Sequence, residues 1–549
     1  MRADQYIRQQ IAVHLKKLGV EISEGDVPLE RPKLAEHGDL ATSIAMELAR
    51  TLRRAPRQIA EDLVKQVSWD PFYVASAEVA GPGFVNFRYG AGYLRQAVRE
   101  ILEAGEGFGR SDWGRGQKIQ FEFVSANPTG PLNVVSARAA AVGDVLASLH
   151  EAVGYEVERE YYVNDAGRQV RLLGQSVSSR YMNLLGKDEP FPEDGYHGDY
   201  IKDLAREILD AYGDKFAKMP AEERHRELAR IALERMIAQH QEAMKAYRVN
   251  FDVWFRESEL RKRKEHEAVL AYFAEKGLSY EKDGAVWFRA TQFGDEKDRV
   301  LVTREGEPTY FLVDIAYHRN KFQRGFDIVH DLWGPDHHGY IPRMKAAVQA
   351  LGVDPERFRV SIIQQVNLLR GGEVVKMSKR AGQIIEMKEL IEEVGVDVAR
   401  FFFLMRRISA PLDFDIDLAK KQSDENPVYY VQYAHARICN ILRYAEERGV
   451  SLPAEPDLEL LREPEEFDVI KKMLEYPDVI SGAARFLEPH RLTTYLQDLA
   501  ASFHRFYHEH RVVGDDADLT AARLELTRAV RVVLANGLKM MNVTAPERM

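Results

Sequence analysis

The 549-residue chain carries 76 Lys and Arg against 86 Asp and Glu, a formal net charge of −10, with 45% apolar and 30% charged residues. That balance excludes a disordered chain and argues against a non-specific DNA coater, although a basic face can sit on an acidic protein. One cysteine, Cys439, excludes an intrachain disulfide and any multi-cysteine metal site, and no apolar run approaches the ~18 residues that span a bilayer. The charged opening MRADQYIRQQIAVHLKKLG reads as an amphipathic helix rather than a signal peptide, so a reducing, cytoplasmic compartment is expected.

At roughly 150 residues per domain the length predicts three or four domains. Helical patterns run over 4–18, 41–53 and 57–67, and strand-like alternation over 73–79 and 84–88, with Gly81-Pro82-Gly83 turning between them. Residues 1–110 therefore read as an α+β unit, and the Gly-rich stretch 105–116 as its linker. Next come an alternating strand, Lys118-Ile-Gln-Phe-Glu-Phe-Val124, a loop, a helix over 136–153 and a strand over 155–162, the βαβ unit of a parallel nucleotide-binding sheet.

A charged helical insertion follows at about 170–280, with strand patterns at 285–289, 299–303, 309–314, 327–333 and 359–366. Together 111–395 read as a Rossmann-like domain, and 396–549 as almost wholly helical, broken by a Pro/Glu-rich loop near 451–464. The expected fold is α/β at the centre, with an α+β cap and an all-α tail.

Two segments carry chemistry. A Lys-rich pentamer is usually a solvated loop. Here Val375-Lys376-Met377-Ser378-Lys379-Arg380 follows a strand and the Gly371-Gly372 turn behind a complete βαβ pattern. Cations on such a loop neutralise charge that builds as pyrophosphate leaves a triphosphate. The second segment, Ala126-Asn127-Pro128-Thr129-Gly130-Pro131-Leu132-Asn133-Val134-Val135-Ser136, leads from strand to helix, where backbone N–H groups and the helix dipole meet phosphate. A plain βα connector is the alternative for that segment alone.

On these segments the chain resembles class I aminoacyl-tRNA synthetases and, within them, the bacterial arginyl-tRNA synthetases. Further matches in order are Glu36-His-Gly-Asp39, Gly81-Pro-Gly-Phe-Val-Asn86, Asp314-Ile-Ala-Tyr317-His318, Gly334-Pro-Asp336-His337-His338-Gly339-Tyr340, Asp397-Val-Ala-Arg400 and the terminal Ala545-Pro-Glu-Arg-Met549. The resemblance implies an N-terminal tRNA-binding domain, a class I catalytic domain and an all-α anticodon-binding domain. It implies ATP-dependent activation of L-arginine to arginyl-adenylate and transfer to the 3′ end of tRNA(Arg). ATP enters with Mg²⁺, no protein-bound metal is expected, and the chain is expected to be a monomer that binds no membrane.

One motif departs from the family. Its His-x-Gly-His reads Asn133-Val134-Val135-Ser136 here, so neutral donors stand where imidazoles would contact phosphate. The Asn133 amide and the Ser136 hydroxyl can donate, and Ser136 is also expected to cap the helix. The resemblance assigns Asn133, Ser136, Lys376, Lys379 and Arg380 to catalysis, and residues 128–136 with Met377, Ser378 and Lys379 to ATP. It assigns Glu122, Asn127, Tyr310 and Asp314 to arginine, with Asp336 and His337 bordering the pocket. The residues agree in part: a guanidinium pairs with carboxylates, Glu122 interrupts an apolar strand, and Asp314 is expected to end one.

In the tail, His504, Arg505, His508 and Arg511 alternate with Phe503, Phe506 and Tyr507. The aromatics at i, i+3, i+4 read mainly as core and the cations as tRNA contacts.

Overall fold

The computed structural model describes residues 1–375, 385–450 and 453–549. Its centre is a five-stranded parallel sheet in the order Phe358–Ile362, Ile328–Trp333, Lys118–Glu122, Glu156–Val163, Val253–Arg256. The order runs outward in both directions from Lys118–Glu122, so the direction of winding reverses between that strand and Ile328–Trp333. Ligands of such sheets bind in the crevice beyond the strand ends at that reversal.

The helix Val134–Ala152 returns the chain across the sheet. It is rich in Ala and Val and buried almost all round, as a helix covering a parallel sheet must be. Gly143 permits that approach: a Cβ there would lie 2.2 Å from the Phe123 ring. The stretch expected to be a linker is strapped to this helix's end, with the amides of Ser111 and Gly114 donating to the Ala152 and Val153 carbonyls.

Helices Arg168–Leu184, Asp199–Tyr212 and Ala221–Ala246 form an excursion with its own apolar core, including Leu173, Val177, Ile208, Leu228 and Met236. The N-terminal unit pairs strands Leu40–Thr42, Phe84–Tyr89 and Val74–Ala80 antiparallel. Its last helix, Ala91–Ala104, packs on Pro464–Leu474 and Ala517–Met540 of the C-terminal bundle, so the N-terminal unit and the tail share one core.

Several sequence expectations change. The insertion expected over about 170–280 is not helical throughout, because Val253–Arg256 is the edge strand of the central sheet. Residues 309–314 are not a strand: Thr309 caps the helix Tyr310–Gln323, its hydroxyl accepting from the Leu312 amide. A short apolar run does not separate a strand from a buried helix, and the cap decided it. The run 359–366 divides at Ile362. Its second part, Val366–Arg370, pairs in another sheet with Glu373–Val374 and Leu412–Asp415. That last strand lies inside the region expected to be almost wholly helical.

The Asp397-Val-Ala-Arg400 segment joins the central α/β unit to the tail. Arg400 is fully buried and donates to Asp144 of the long helix, to the Tyr247 carbonyl at 3.0 Å and to the Met541 carbonyl at 2.7 Å. Asp397 accepts from Arg248 and from Gln432 and Thr544 of the tail.

Candidate active site

Parallel pairing aligns Asp331, Glu122 and Glu160 on one face of three adjacent strands at the winding reversal. Side by side, these carboxylates require cations. The Lys321 ammonium, wholly buried, donates to Glu122 Oε2 at 2.5 Å and to Asp331 Oδ1 at 2.8 Å. Arg324 pairs with Glu160 at 2.6 Å, and the Tyr317 hydroxyl donates to the same carboxylate. Burial opposes the charge of Lys321, but Asp331 and Glu122 hold it above the ordinary lysine range. Asp331 is likewise desolvated, yet Lys321 and His318 keep it well below the usual carboxylate range.

Lys321 comes from the helix that carries Tyr310, Asp314 and His318. Their spacing of three, four and seven residues places them on one helical face. Asp314 thus enters the crevice from a helix, not from a strand end. Its Oδ2 accepts from the Tyr340 hydroxyl at 2.6 Å, and among the described residues it has no cationic partner within ion-pair distance. Burial, with smaller contributions from the neighbouring Glu122 and Glu257, raises its pKa to about 6 against the hydrogen bond of Tyr340 and the nearby His318.

Glu257, buried nearby, accepts from the Tyr162 hydroxyl at 2.9 Å and pairs with Arg261 at 2.6 Å. The cluster therefore holds Glu122, Asp331, Glu160, Glu257 and Asp314 against Lys321, Arg324, Arg261 and the imidazole of His318. Among the described residues Asp314 is the carboxylate left without a full positive charge. Tyr310 stands one turn before it, 54% exposed at the rim. Asp336 and His337 are exposed just beyond the Ile328–Trp333 strand, whereas Tyr340 of the same segment reaches inward to Asp314.

The loop after Glu122 turns sharply, with positive φ at Val124 and Ser125, a backbone conformation costly for side chains of their kind. The Ser125 hydroxyl donates to Glu122 Oε1 at 2.8 Å and accepts from the Tyr162 amide at 3.0 Å. Further on, His240 Nε2 donates to the Gly130 carbonyl at 2.8 Å. Nδ1 of a neutral His240 must then accept from Tyr161, whose oxygen accepts from the Ala126 amide. Tyr200 donates to the Thr129 carbonyl at 2.7 Å. Two side chains of the helical excursion thereby hold the loop backbone.

Within the loop, Pro128, Thr129, Leu132 and Val134 are buried, and their side chains pack inward. Asn127 and Val135 are exposed, and Gly130, Pro131, Asn133 and Ser136 partly so. Asn133, not Ser136, caps the helix: its Oδ1 accepts from the amides of Val135 at 3.0 Å and Ser136 at 3.1 Å. The helix starts two residues earlier than the sequence pattern indicated, so Ser136 falls in its first turn. The cap occupies two of the helix N–H groups expected to meet phosphate. Asn133 keeps its Nδ2 protons as donors.

Lys376, Met377, Ser378, Lys379 and Arg380 lie outside the described residues. The chain on their C-terminal side is anchored at the loop that leads into the long helix: Glu386 bridges Asn133, and the Met387 amide donates to the Leu132 carbonyl at 2.8 Å. Arg138 ties the same helix to the sheet that precedes them, donating to the carbonyls of Gln364 at 2.7 Å and Ala410 at 2.9 Å.

In the tail, Phe503 and Phe506 are core, as their spacing indicated, while Tyr507 is exposed. Arg437 lies 4.6 Å from the Tyr433 ring and 5.4 Å from that of Tyr507, making a surface cluster with His504. Lys321, Glu257, Tyr162, His240 and Tyr161 were not singled out from sequence. His240 lies in the insertion read as charged helix, and Lys321 follows a run read as a strand, so no helical phase tied it to Asp314.

Comparison with known proteins agrees along the chain. The arginyl-tRNA synthetase N-terminal domain matches residues 5–89, the class I (R) tRNA synthetase catalytic domain 97–402, and the DALR anticodon-binding domain 431–549. The arginine–tRNA ligase of Caldanaerobacter subterraneus is 50% identical, covering 95% of this chain and 94% of its own. That of Syntrophotalea carbinolica is 49% identical, covering 96% of both. The Thermus thermophilus arginyl-tRNA synthetase structure superposes with a TM-score of 0.77 at 24% identity over 99% of both chains, a likeness of fold. With its winding-reversal crevice, its carboxylate cluster and these matches over nearly its whole length, the chain belongs to the arginyl-tRNA synthetases, class I ligases that use ATP to join arginine to its tRNA.

Proposed function

We propose that Asp314 and Glu122 receive the guanidinium of arginine, with Tyr310 beside it, Asn127 at the amino-acid end and Asp336 and His337 on the rim. The observation that carries this reading is the desolvated Asp314 carboxylate without a cationic partner among the described residues. A buried anion is costly until a cation pairs with it, and a planar guanidinium supplies donors to two carboxylates at once.

The nucleotide lies along the loop from Pro128 to Ser136. Asn133 Nδ2 and the Ser136 hydroxyl donate to phosphate oxygens, while Lys376, Lys379 and Arg380, with Met377 and Ser378 beside them, close on the triphosphate. ATP enters as its Mg²⁺ complex. That ion needs only one or two carboxylates besides phosphate and water, so no dedicated cage is required. The arginine carboxylate attacks the α-phosphorus and pyrophosphate leaves. The 3′-terminal ribose hydroxyl of the tRNA then displaces AMP. No enzyme-bound covalent intermediate is needed, so catalysis is positioning and charge stabilisation.

The unit 1–110 and the bundle 396–549 hold the tRNA around the catalytic portion 111–395, the latter through the Tyr433, Arg437, His504 and Tyr507 cluster by stacking and charge. The chain works as a cytoplasmic monomer. The test is aminoacylation of tRNA(Arg) with a panel of amino acids. Arginine charging with lysine and citrulline at background is expected; comparable charging of citrulline, which keeps the shape but not the charge, would sink the carboxylate reading.

A further inference from the structure

We infer that Lys321 is a positioning residue for arginine recognition, fixing Glu122 from behind so that its Oε1 faces the substrate side. The inference rests on the reading of Glu122 as a guanidinium ligand. Lys321 holds Oε2 at 2.5 Å, while Oε1 accepts from Ser125 in the loop that follows the strand. Its ammonium is wholly buried and lies 4.4 Å from the centre of the Tyr317 ring. Glu122 therefore has one oxygen committed to the buried ammonium and the other held from the loop that follows the strand.

A buried ion triad such as Glu122–Lys321–Asp331 is not a source of stability that apolar packing would lack. Its effect is on charge and aim. Asp314 and Tyr317 lie near Glu122 on the helix that carries Lys321. Asp331 faces it from one neighbouring strand, and Glu160 from the other. Burial favours the neutral carboxyl of Glu122 most, Asp331 and Glu160 add to it, and Lys321 opposes them. The net shift of Glu122 is upward, and Lys321 is the direct cationic partner that opposes it and favours the anion before arginine arrives. It also shares one helical face with Asp314, so a single helix orients both recognition carboxylates.

The test compares Lys321→Met, the charge-balanced pair Lys321→Met with Asp331→Asn, and Glu122→Gln, in tRNA(Arg) aminoacylation by the full chain. Thermal unfolding serves as the folding control, and the balanced pair keeps the test open if Lys321→Met does not fold. In the balanced pair the arginine KM is expected to rise about 10- to 100-fold, with the ATP KM within about twofold, because a charge-assisted contact is lost. That KM is expected to climb further between pH 8 and 6.5, where the parent is flat, as Glu122 takes up a proton. A folded balanced pair with parental arginine KM and pH profile would overturn the inference while Glu122→Gln still raises the arginine KM. If Glu122→Gln also leaves it unchanged, Glu122 is not a ligand, and the underlying reading falls with the inference.

Discussion

The two sides of the crevice are built on opposite electrostatic plans. Around Glu122, Asp331 and Asp314, charges are desolvated and held by buried partners, and Asp314 has no cationic partner among the described residues. Along the loop ending at Asn133 and Ser136 the described groups are neutral: carbonyls pinned by His240 and Tyr200, and an asparagine that spends its acceptor on a helix cap. Recognition of a cationic side chain calls for charge in place before binding, since its energy appears in the ground state. A phosphate whose charge shifts during reaction is served by donors that strengthen in the transition state. Substitutions on the first side should therefore act on arginine binding, and on the second on turnover.

The largest effect is expected from Asp314→Asn, which keeps shape and removes charge. Losing a charge-assisted buried pair costs about 2–4 kcal/mol, so the arginine KM should rise by roughly one and a half to three decades while the ATP KM stays near the parent's. Steady-state aminoacylation with each substrate varied separately gives both values. Equal changes in the two would erase the contrast between the sides.

Asn133→Ala should lower kcat by about 10²-fold and stability by about 1 kcal/mol, since it removes a phosphate donor and the helix cap together. Asn133→Asp separates the two: aspartate caps as well as asparagine but presents no Nδ2 protons, so melting should stay parental while kcat falls. Ser136→Ala, with no cap to lose, should reduce kcat less than Asn133→Ala. Pyrophosphate exchange with tRNA present measures these rates, and a fully active Asn133→Asp would remove this side chain from the chemistry.

A smaller, graded effect is expected from pH. The pKa of Asp314 is raised to about 6, and arginine requires the anion, so the arginine KM should fall as pH rises toward 6 and level off above it. Below that value the KM should increase about tenfold per unit. The effect on stability has the opposite sign. A folded carboxyl pKa raised above its unfolded value contributes stability at low pH, which is lost as pH rises through about 6. Arginine KM measured from pH 5.5 to 8 gives the first curve. A flat profile would show that Asp314 does not meet the guanidinium.

Local pattern made much of the molecule legible. The βαβ unit from Lys118 to Val163, the N-terminal hairpin around Gly81-Pro82-Gly83 and the helical tail all stem from periodicity and turn residues, which act over a few positions. The motifs near Asn127 and Asp314 belong to the same level. What failed were choices between near-equal local alternatives: TYFLVD read as a strand, and Ser136 read as the cap in place of Asn133.

Chain order and residue chemistry by themselves determined the parallel nucleotide-binding centre, the segments that frame its crevice and the acidic character expected of an arginine site. Tertiary structure alone decided which charges meet. Lys321 reaches Glu122 across 199 positions, and His240 reaches Gly130 across 110. Strand register sets Asp331, Glu122 and Glu160 abreast, and a buried ammonium answers them. No local pattern carries that information, because the field at a buried carboxylate is the sum over every element packed around it.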